Sequence, residues 1–482
     1  MVATTFPSRP RQHSRNKDPE RSEPTRGDLD RNSILVGDSV TVGRVCPLRR
    51  LASRARKGQI AAHVTRLDPP PPSTETGFAG VGSALTPALA ESERLHARVR
   101  RFAEVSLDPP LVLPDDAPSF ETLALEIAQF QLTHCPGFAR LVTRIGSPPS
   151  RVDDIPAVTV DTFRLTRVAV HPPELDAHVF RTSGTTGVTS GRHPLRSPLT
   201  YQTLALALAR RTLFAHHPRG IVVALAENPG QPSASSLGLM MQLFMQHMDG
   251  EALMKDPRGA SFQLDDPGRW LIRRGMVDTD GLRRAFAIAR ARGRPLFLLT
   301  TGFALAATLE ALDGEPLRAP KNTRVMLTGG FKGRRTELTD QTIRSQTAET
   351  FCIPESSILG EYGMTELTSQ LYQSWSSAPA ETDPLSQAGW RPPANQGDLY
   401  FAPPWLRVTA VDPTTGRRVS PGQPGLARFC DLGNIDSALV VVTEDLIVEQ
   451  HGGIRLLGRR RGAPPRGCSL PFEGLIARSP TS

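Results

Sequence analysis

Two stretches of this 482-residue chain carry side chains whose types and spacing suit one ligand. In Thr182-Ser-Gly-Thr-Thr-Gly-Val-Thr-Ser-Gly191, hydroxyls alternate with glycines. Glycine lets the backbone turn tightly and approach a ligand, and the intervening N–H and hydroxyl groups offer donors to phosphate oxygens. Thr182, Ser183, Gly184, Thr185, Thr186 and Gly187 are therefore candidate phosphate-binding residues, in a loop that suits a triphosphate. It is not a Walker loop, because no Gly-Lys-Ser/Thr ends it. A flexible linker has similar composition, but this loop sits between the apolar stretch His178-Val-Phe180 and a helical pattern, where linkers are uncommon. The second stretch is Glu361-Tyr-Gly-Met-Thr-Glu366. Tyr362 or Thr365 could touch a nucleotide, and a carboxylate beside polyphosphate is a natural ligand for Mg2+. Alone, that hexapeptide is indistinguishable from an ordinary turn.

The elements that must position these stretches alternate in type. Phe120, Leu123, Ala124, Ile127 and Phe130 recur at helical spacing, and Cys135-Pro136 ends that helix. Ile221 to Ala226, Pro295 to Thr300 and Arg324 to Thr328 are expected as buried strands, and Tyr201 to Phe214 and Thr301 to Leu312 as helices. Strands interleaved with helices predict an α/β core, spanning residues 111–394. From 395 to 458 short strands between Pro/Gly turns predict a small β-rich subdomain: Gly397 to Phe401, Arg407 to Val411, Gly425 to Phe429 and Ala438 to Val442. Residues 459–482 form a short tail. Residues 1–110 mix Arg, Pro, Ser, Asp and Glu without sustained periodicity and are expected to be a disordered basic extension, with a short helix near Ala88 to Glu104.

The formal net charge of +9 comes largely from arginines scattered through the N-terminal extension and the C-terminal clusters. They form no aromatic-interleaved face, which argues against nucleic acid as a partner. No apolar run reaches the length of a membrane span. The five cysteines, Cys46, Cys135, Cys352, Cys430 and Cys468, are widely separated and form no Cys-x-x-Cys pair, so a reducing cytoplasm is expected rather than a disulfide or zinc framework. No secretory signal is legible at the N-terminus.

Taken together, the two stretches resemble the adenylate-forming superfamily of acyl-CoA synthetases, luciferases and peptide-synthetase adenylation domains. Its phosphate loop reads Ser/Thr-Ser-Gly-Ser/Thr-Thr-Gly-x-Pro-Lys-Gly, matched here from Thr182 to Gly187 and at Gly191; its later signature, Tyr-Gly-x-Thr-Glu, is matched at Tyr362, Gly363, Thr365 and Glu366. The resemblance implies that Thr365 contacts a nucleotide phosphate and that Glu366 helps hold magnesium. It places Leu327-Thr-Gly-Gly-Phe-Lys332, with Gly329 and Gly330, beside the adenine, and makes Lys332 a candidate for neutralising phosphate charge, though a solvated surface lysine reads the same way. The ribose-holding aspartate of the family corresponds to Asp445 or, alternatively, Asp431, and its hinge Gly-Arg to Gly458-Arg459. Thr189 and Ser190 stand where the family has Pro and Lys, so the loop lacks its own cation unless Arg192 substitutes. His193 and His247 are further polar candidates near the acyl site, although a lone histidine is more often structural.

Only residues 460–482 follow Arg459, and none is lysine, whereas typical members carry a further domain with a catalytic lysine there. One branch that ends this way is the LuxE-type acyl-protein synthetase. The chain is similar to it from Phe120 nearly to the end, through Ile155-Pro156, Phe163, Ser235-Ser-Leu237, Gly329 to Lys332 and the closing Gly458 to Ser469. In that family a cysteine near the C-terminus accepts the acyl group as a thioester and passes it to an acyl reductase, and Cys468 occupies the matching place. The nearby Arg459, Arg460, Arg461 and Arg466 would favour its thiolate. The resemblance thus implies a ligase that activates a fatty acid as acyl-AMP with ATP and Mg2+. Two alternatives are an acyl-AMP-forming enzyme that delivers to CoA, a carrier-protein thiol or an amine, and a non-catalytic nucleotide-binding protein.

Overall fold

The computed structural model describes residues 87–107, 118–182, 190–215, 217, 219–230, 233–248, 267–329, 339–373 and 397–460. All of these belong to the second of two units, Gly82–Ser482; the first, Met1–Val81, lies outside them.

The described chain begins with helices α1 (Pro87–Leu107), α2 (Phe120–His134) and α3 (Pro136–Ile145), then strand β1 (Val158–Thr159) and helix α4 (Thr162–Leu165). A hairpin of β2 (His178–Arg181) and β3 (Arg192–Leu195) leads into α5 (Leu199–Arg211), β4 (Ile221–Leu225) and α6 (Ser236–Met248). After the small pair β5 (Ile272–Arg273) and β6 (Met276–Val277) come α7 (Thr279–Ala291), β7 (Leu296–Thr301) and α8 (Gly302–Leu312). These are followed by β8 (Arg324–Thr328), α9 (Asp340–Phe351) and β9 (Ile358–Tyr362). The last strands are β10 (Leu371–Gln373), β11 (Tyr400–Phe401), β12 (Leu406–Val411), β13 (Pro424–Asp431), β14 (Val440–Gln450) and β15 (Gly453–Arg459).

Strands β4, β7 and β8 are buried at every position, the mark of strands covered on both faces. With β9 they form the parallel half of the sheet, because each is joined to the next through a helix that crosses back. Side chains alternate between two cores, as the strand period requires. Val222, Ala224, Phe297, Leu299, Met326 and Leu359 pack with α1, α2, α5 and α6. Ile221, Val223, Leu296, Leu298, Val325 and Ile358 pack with α7, α8 and α9.

The α/β fold class expected from the sequence is the one observed, with a large mixed sheet. Its β-rich region is continuous with the core, since an eleven-stranded sheet runs β12-β13-β14-β15-β11-β10-β9-β8-β7-β4, with β1 parallel to β14. The strand expected from Gly397 is confined to Tyr400–Phe401, and the one expected at Ala438 starts at Val440 and continues to Gln450.

The helix expected within the N-terminal extension belongs to the folded core instead. Leu95, Val99, Ala103 and Leu107 recur every fourth residue along α1 and are all buried. Its polar side is fastened as well: Ser92 Oγ donates to Asp436, and the His96 ring lies 3.1 Å from the other Asp436 oxygen. Arg196 completes this cluster, and burial is outweighed by these partners, which pull the Asp436 carboxyl down to about 2. Composition averaged over residues 1–110 hid one apolar stripe among many charges. Among the described residues no helix is long and apolar enough to cross a membrane.

Candidate functional site

Parallel strands β8 and β9 pair Thr328 with Glu361 and deliver the residues that follow them to the same edge of the sheet. That carboxyl-end crevice is where open α/β sheets bind ligands. Gly329 leaves β8 with φ of 70°, a conformation that a side chain disfavours. Tyr362 ends β9 and opens the turn through Gly363, Thr365 and Glu366.

The Tyr362 hydroxyl donates to Asp445 at 2.8 Å, while its ring stacks on Phe429 with centroids 5.8 Å apart. Burial, reinforced by the neighbouring Asp445 carboxylate, pushes the phenol well above its ordinary pKa, so it stays protonated and donates. Across the β14–β15 ladder Asp445 is paired with Arg459, whose Nε lies 3.6 Å from the carboxylate. Tyr362 from β9 thus converges with two candidates from the β14–β15 hairpin, which lies far along the chain. Their polar ends are mostly but not wholly covered: Asp445 is 17% exposed and Arg459 12%.

Behind this group, the turn holding Thr365 and Glu366 is fixed through backbone atoms. The Thr365 carbonyl accepts a hydrogen bond from His193 Nδ1 at 2.8 Å, and His193 Nε2 lies 3.0 Å from Ser437 Oγ. Because a carbonyl can only accept, Nδ1 carries the proton and the Ser437 hydroxyl donates to Nε2. Complete burial holds the imidazole near pKa 4, neutral at physiological pH. Asn434 donates to the Glu366 carbonyl at 2.9 Å. His193 is therefore a holder of the turn, and His247 bonds only to the Leu243 carbonyl of its own helix among the described residues.

Asp431 differs from Asp445. It is fully buried and accepts from Thr368 N and Ser369 N at 2.9 Å, Ser369 Oγ at 2.7 Å and Gly433 N at 2.9 Å. Those bonds clamp the chain just beyond Glu366, and leave the carboxylate enclosed by the protein's own donors.

The candidate phosphate loop joins β2 to β3. At its foot Thr182 N donates to the Gly191 carbonyl at 3.0 Å, Gly191 N donates to Thr182 Oγ1 at 2.7 Å, and the Ser190 hydroxyl bonds to the Thr182 carbonyl. His193, two residues on, ties this foot to the Thr365 turn. Arg192 is exposed and, by strand alternation, faces away from the side His193 occupies. Ser183, Gly184, Thr185, Thr186, Gly187, Gly330, Lys332 and Cys468 lie outside the described residues.

Glu361 is a residue that sequence reasoning passed over. The Thr328 hydroxyl donates to its carboxyl, and burial pushes that carboxyl up to about 7. Its position just before the tyrosine was visible, but its inward direction follows only from the register of β9. Among the described residues no cluster of three or more His, Cys, Asp or Glu is poised for a metal. One carboxylate, such as that of the buried Glu366, fits magnesium that arrives with phosphate oxygens, since that ion keeps few protein ligands. An open groove of about 420 Å³ beside Tyr400, Leu406, Arg407, Arg418 and His451 is lined by none of these candidates.

No protein-family model matches the chain, and no curated protein matches it. Among solved structures it is similar to 2-hydroxyisobutyryl-CoA ligase in the postadenylation state with 2-HIB-AMP, at 14% identity over 77% of this chain and 74% of that one, with a TM-score of 0.49. An open conformation of the same enzyme with 2-HIB-AMP and CoA gives 14% identity, 74% and 82% coverage and a TM-score of 0.46. ATP-bound MatB from Rhodopseudomonas palustris gives 15% identity, 76% and 73% coverage and a TM-score of 0.37.

Proposed function

We propose that this chain is an adenylate-forming ligase that uses ATP with Mg2+ to activate a carboxylic acid, a fatty acid in the first instance, as acyl-AMP. The observation that carries the proposal is the meeting of Tyr362, Asp445 and Arg459 beside the Thr365–Glu366 turn, with His193 tying that turn to the foot of the phosphate loop.

In this reading Asp445 accepts from the ribose hydroxyls, Arg459 orients Asp445, and Tyr362 gives the base a flat wall already braced by Phe429. Gly329 and Gly330 let the backbone approach the nucleotide, and Lys332 offsets phosphate charge. Thr365 and the hydroxyls from Thr182 to Thr186 donate to phosphate oxygens, and Glu366 would hold the magnesium that neutralises them. A carboxylate oxygen of the substrate attacks the α-phosphorus, the bond to the bridging oxygen breaks, and pyrophosphate leaves. Most of the rate gain is positioning and electrostatic stabilisation.

The second half-reaction assigned here uses Cys468. Its thiolate attacks the acyl carbonyl, the carbon–oxygen bond to AMP breaks, and a protein thioester remains for an acyl reductase or carrier-protein partner. The test is pyrophosphate exchange and protein labelling with ATP, Mg2+ and radiolabelled acids. Exchange with hydroxylamine-labile label that disappears in Cys468→Ala supports both half-reactions. Exchange without label keeps adenylation and moves the acceptor to CoA, a carrier thiol or an amine. Tight ATP binding without exchange on any acid would replace the proposal with a non-catalytic nucleotide-binding role.

A further inference from the structure

We propose that Asp436 is a positioning residue for the Thr365–Glu366 turn, and that helix α1, by holding Asp436, sets the end of the site that meets phosphate and magnesium. The inference rests on the nucleotide assignment above and joins to it a helix from outside both signature stretches.

The link is the loop of residues 432–439 between β13 and β14. It belongs to no strand, so side-chain contacts rather than a ladder hold most of it in place. On one side α1 grips Asp436: Ser92 Oγ donates to one carboxylate oxygen, and the His96 ring lies 3.1 Å from the other, which Arg196 Nε approaches to 3.4 Å. Although burial opposes it, these partners pull the carboxyl down to about 2. An ionised carboxylate only accepts, so His96 Nε2 carries the proton. The same ring is tied to α5, with Nδ1 2.9 Å from Thr200 Oγ1.

The other side of the loop holds the turn. Ser437, the next residue, donates to His193 Nε2 at 3.0 Å, and His193 Nδ1 donates to the Thr365 carbonyl at 2.8 Å. Asn434 donates to the Glu366 carbonyl at 2.9 Å and accepts from Thr368 Oγ1 at 2.7 Å. Ser92, His96, Asp436, Ser437, His193 and Asn434 are each at most 7% exposed, so little water reaches these bonds to replace a lost partner. Displacing Asp436 therefore carries Ser437 and Asn434 with it, and through them the carbonyls that fix the turn.

The experiment pairs hydrogen exchange by mass spectrometry with titration calorimetry, both on the full chain. The amides of Leu367, Thr368 and Ser369, bonded to the Met364 carbonyl and the Asp431 carboxylate, report the turn; those of α8 report a region with no part in the loop. Asp436→Ala is expected to speed exchange at the turn by about tenfold with α8 unchanged, and to weaken Mg-ATP by about tenfold while adenosine, which has no phosphate, stays within about twofold. Asp436→Asn, which still accepts from Ser92, recovers most of both losses. His96→Ala shifts both readouts in the same direction from α1 itself, and carries the test alone if Asp436→Ala does not fold. Faster exchange in turn and α8 alike, with equal loss for both ligands, would make Asp436 merely structural and overturn the inference. Unchanged exchange at the turn in His96→Ala overturns it too. Wild-type protein that binds neither ligand overturns the nucleotide assignment, while the exchange data decide separately whether α1 holds the turn.

Discussion

Asp431 and Asp445 lie on neighbouring strands, and sequence offers Asp445 as the candidate ribose ligand with Asp431 as its alternative, yet folding gives them opposite surroundings. Asp431 closes β13 in a pocket with no solvent contact, where burial drives its carboxyl up against the pull of four donors from Thr368, Ser369 and Gly433. Asp445 lies within β14 on the rim of the crevice, with Tyr362 on one oxygen and Arg459 on the other. An aspartate enclosed by backbone N–H groups builds a turn. One held by two side chains at a partly open edge can still receive a ligand. The difference separates the part of the site that is scaffold from the part proposed to meet the nucleotide.

The comparison can be broken most directly by removing each carboxylate. Asp431→Ala strands three buried N–H groups and a hydroxyl, and is expected to cost about 4 kcal/mol of unfolding free energy, measured by chemical denaturation. Asp445→Ala should cost only about 1 kcal/mol of stability and reduce ATP–pyrophosphate exchange by about a hundredfold. If the two variants lose stability equally, the division between scaffold and ligand contact is wrong.

Glu361 sharpens the contrast, being as enclosed as Asp431 but with a single donor, Thr328, among the described residues. Burial raises its folded pKa from 4.5 to about 7, so the folded state keeps a proton that the unfolded chain has released. Its contribution therefore favours folding below about pH 4.5 and is lost as pH rises towards 7, with a slope of at most about 1.4 kcal/mol per pH unit. Glu361→Gln should flatten the stability profile across that window; an unchanged slope would show that the carboxyl is already ionised. The smallest effect belongs to Tyr362→Phe. It keeps the stack on Phe429 and removes one hydrogen bond, so about 1 kcal/mol, or about a fivefold rise in KM for ATP with kcat little changed, is expected from steady-state kinetics.

Much of this arrangement was legible in the residues. Runs such as Ile221 to Ala226 and Pro295 to Thr300 announce buried strands, and the three- and four-residue spacing from Phe120 announces α2, because local periodicity follows backbone geometry. Tyr362, Asp445 and Arg459 could be selected one by one from their motifs, although none of the three signals where the others lie. Helix α1 was underestimated because its apolar stripe is narrow and its polar fastening depends on Asp436, far along the chain. Asp431 and Asp445 could not be separated, since both sit in turn-like sequence and differ only in which donors surround them.

The sequence by itself determined the α/β class, the positions of most strands and helices, and the chemical types available to a phosphate-binding loop and an acidic turn. These are properties of neighbouring residues, where spacing and backbone preference suffice. Only the tertiary structure decided that Asp445 meets Tyr362 and Arg459 while Asp431 is enclosed, and that His193 braces a turn. Each of those outcomes depends on strand register and on which face of a hairpin is turned inward, and both are fixed by packing between segments remote in sequence.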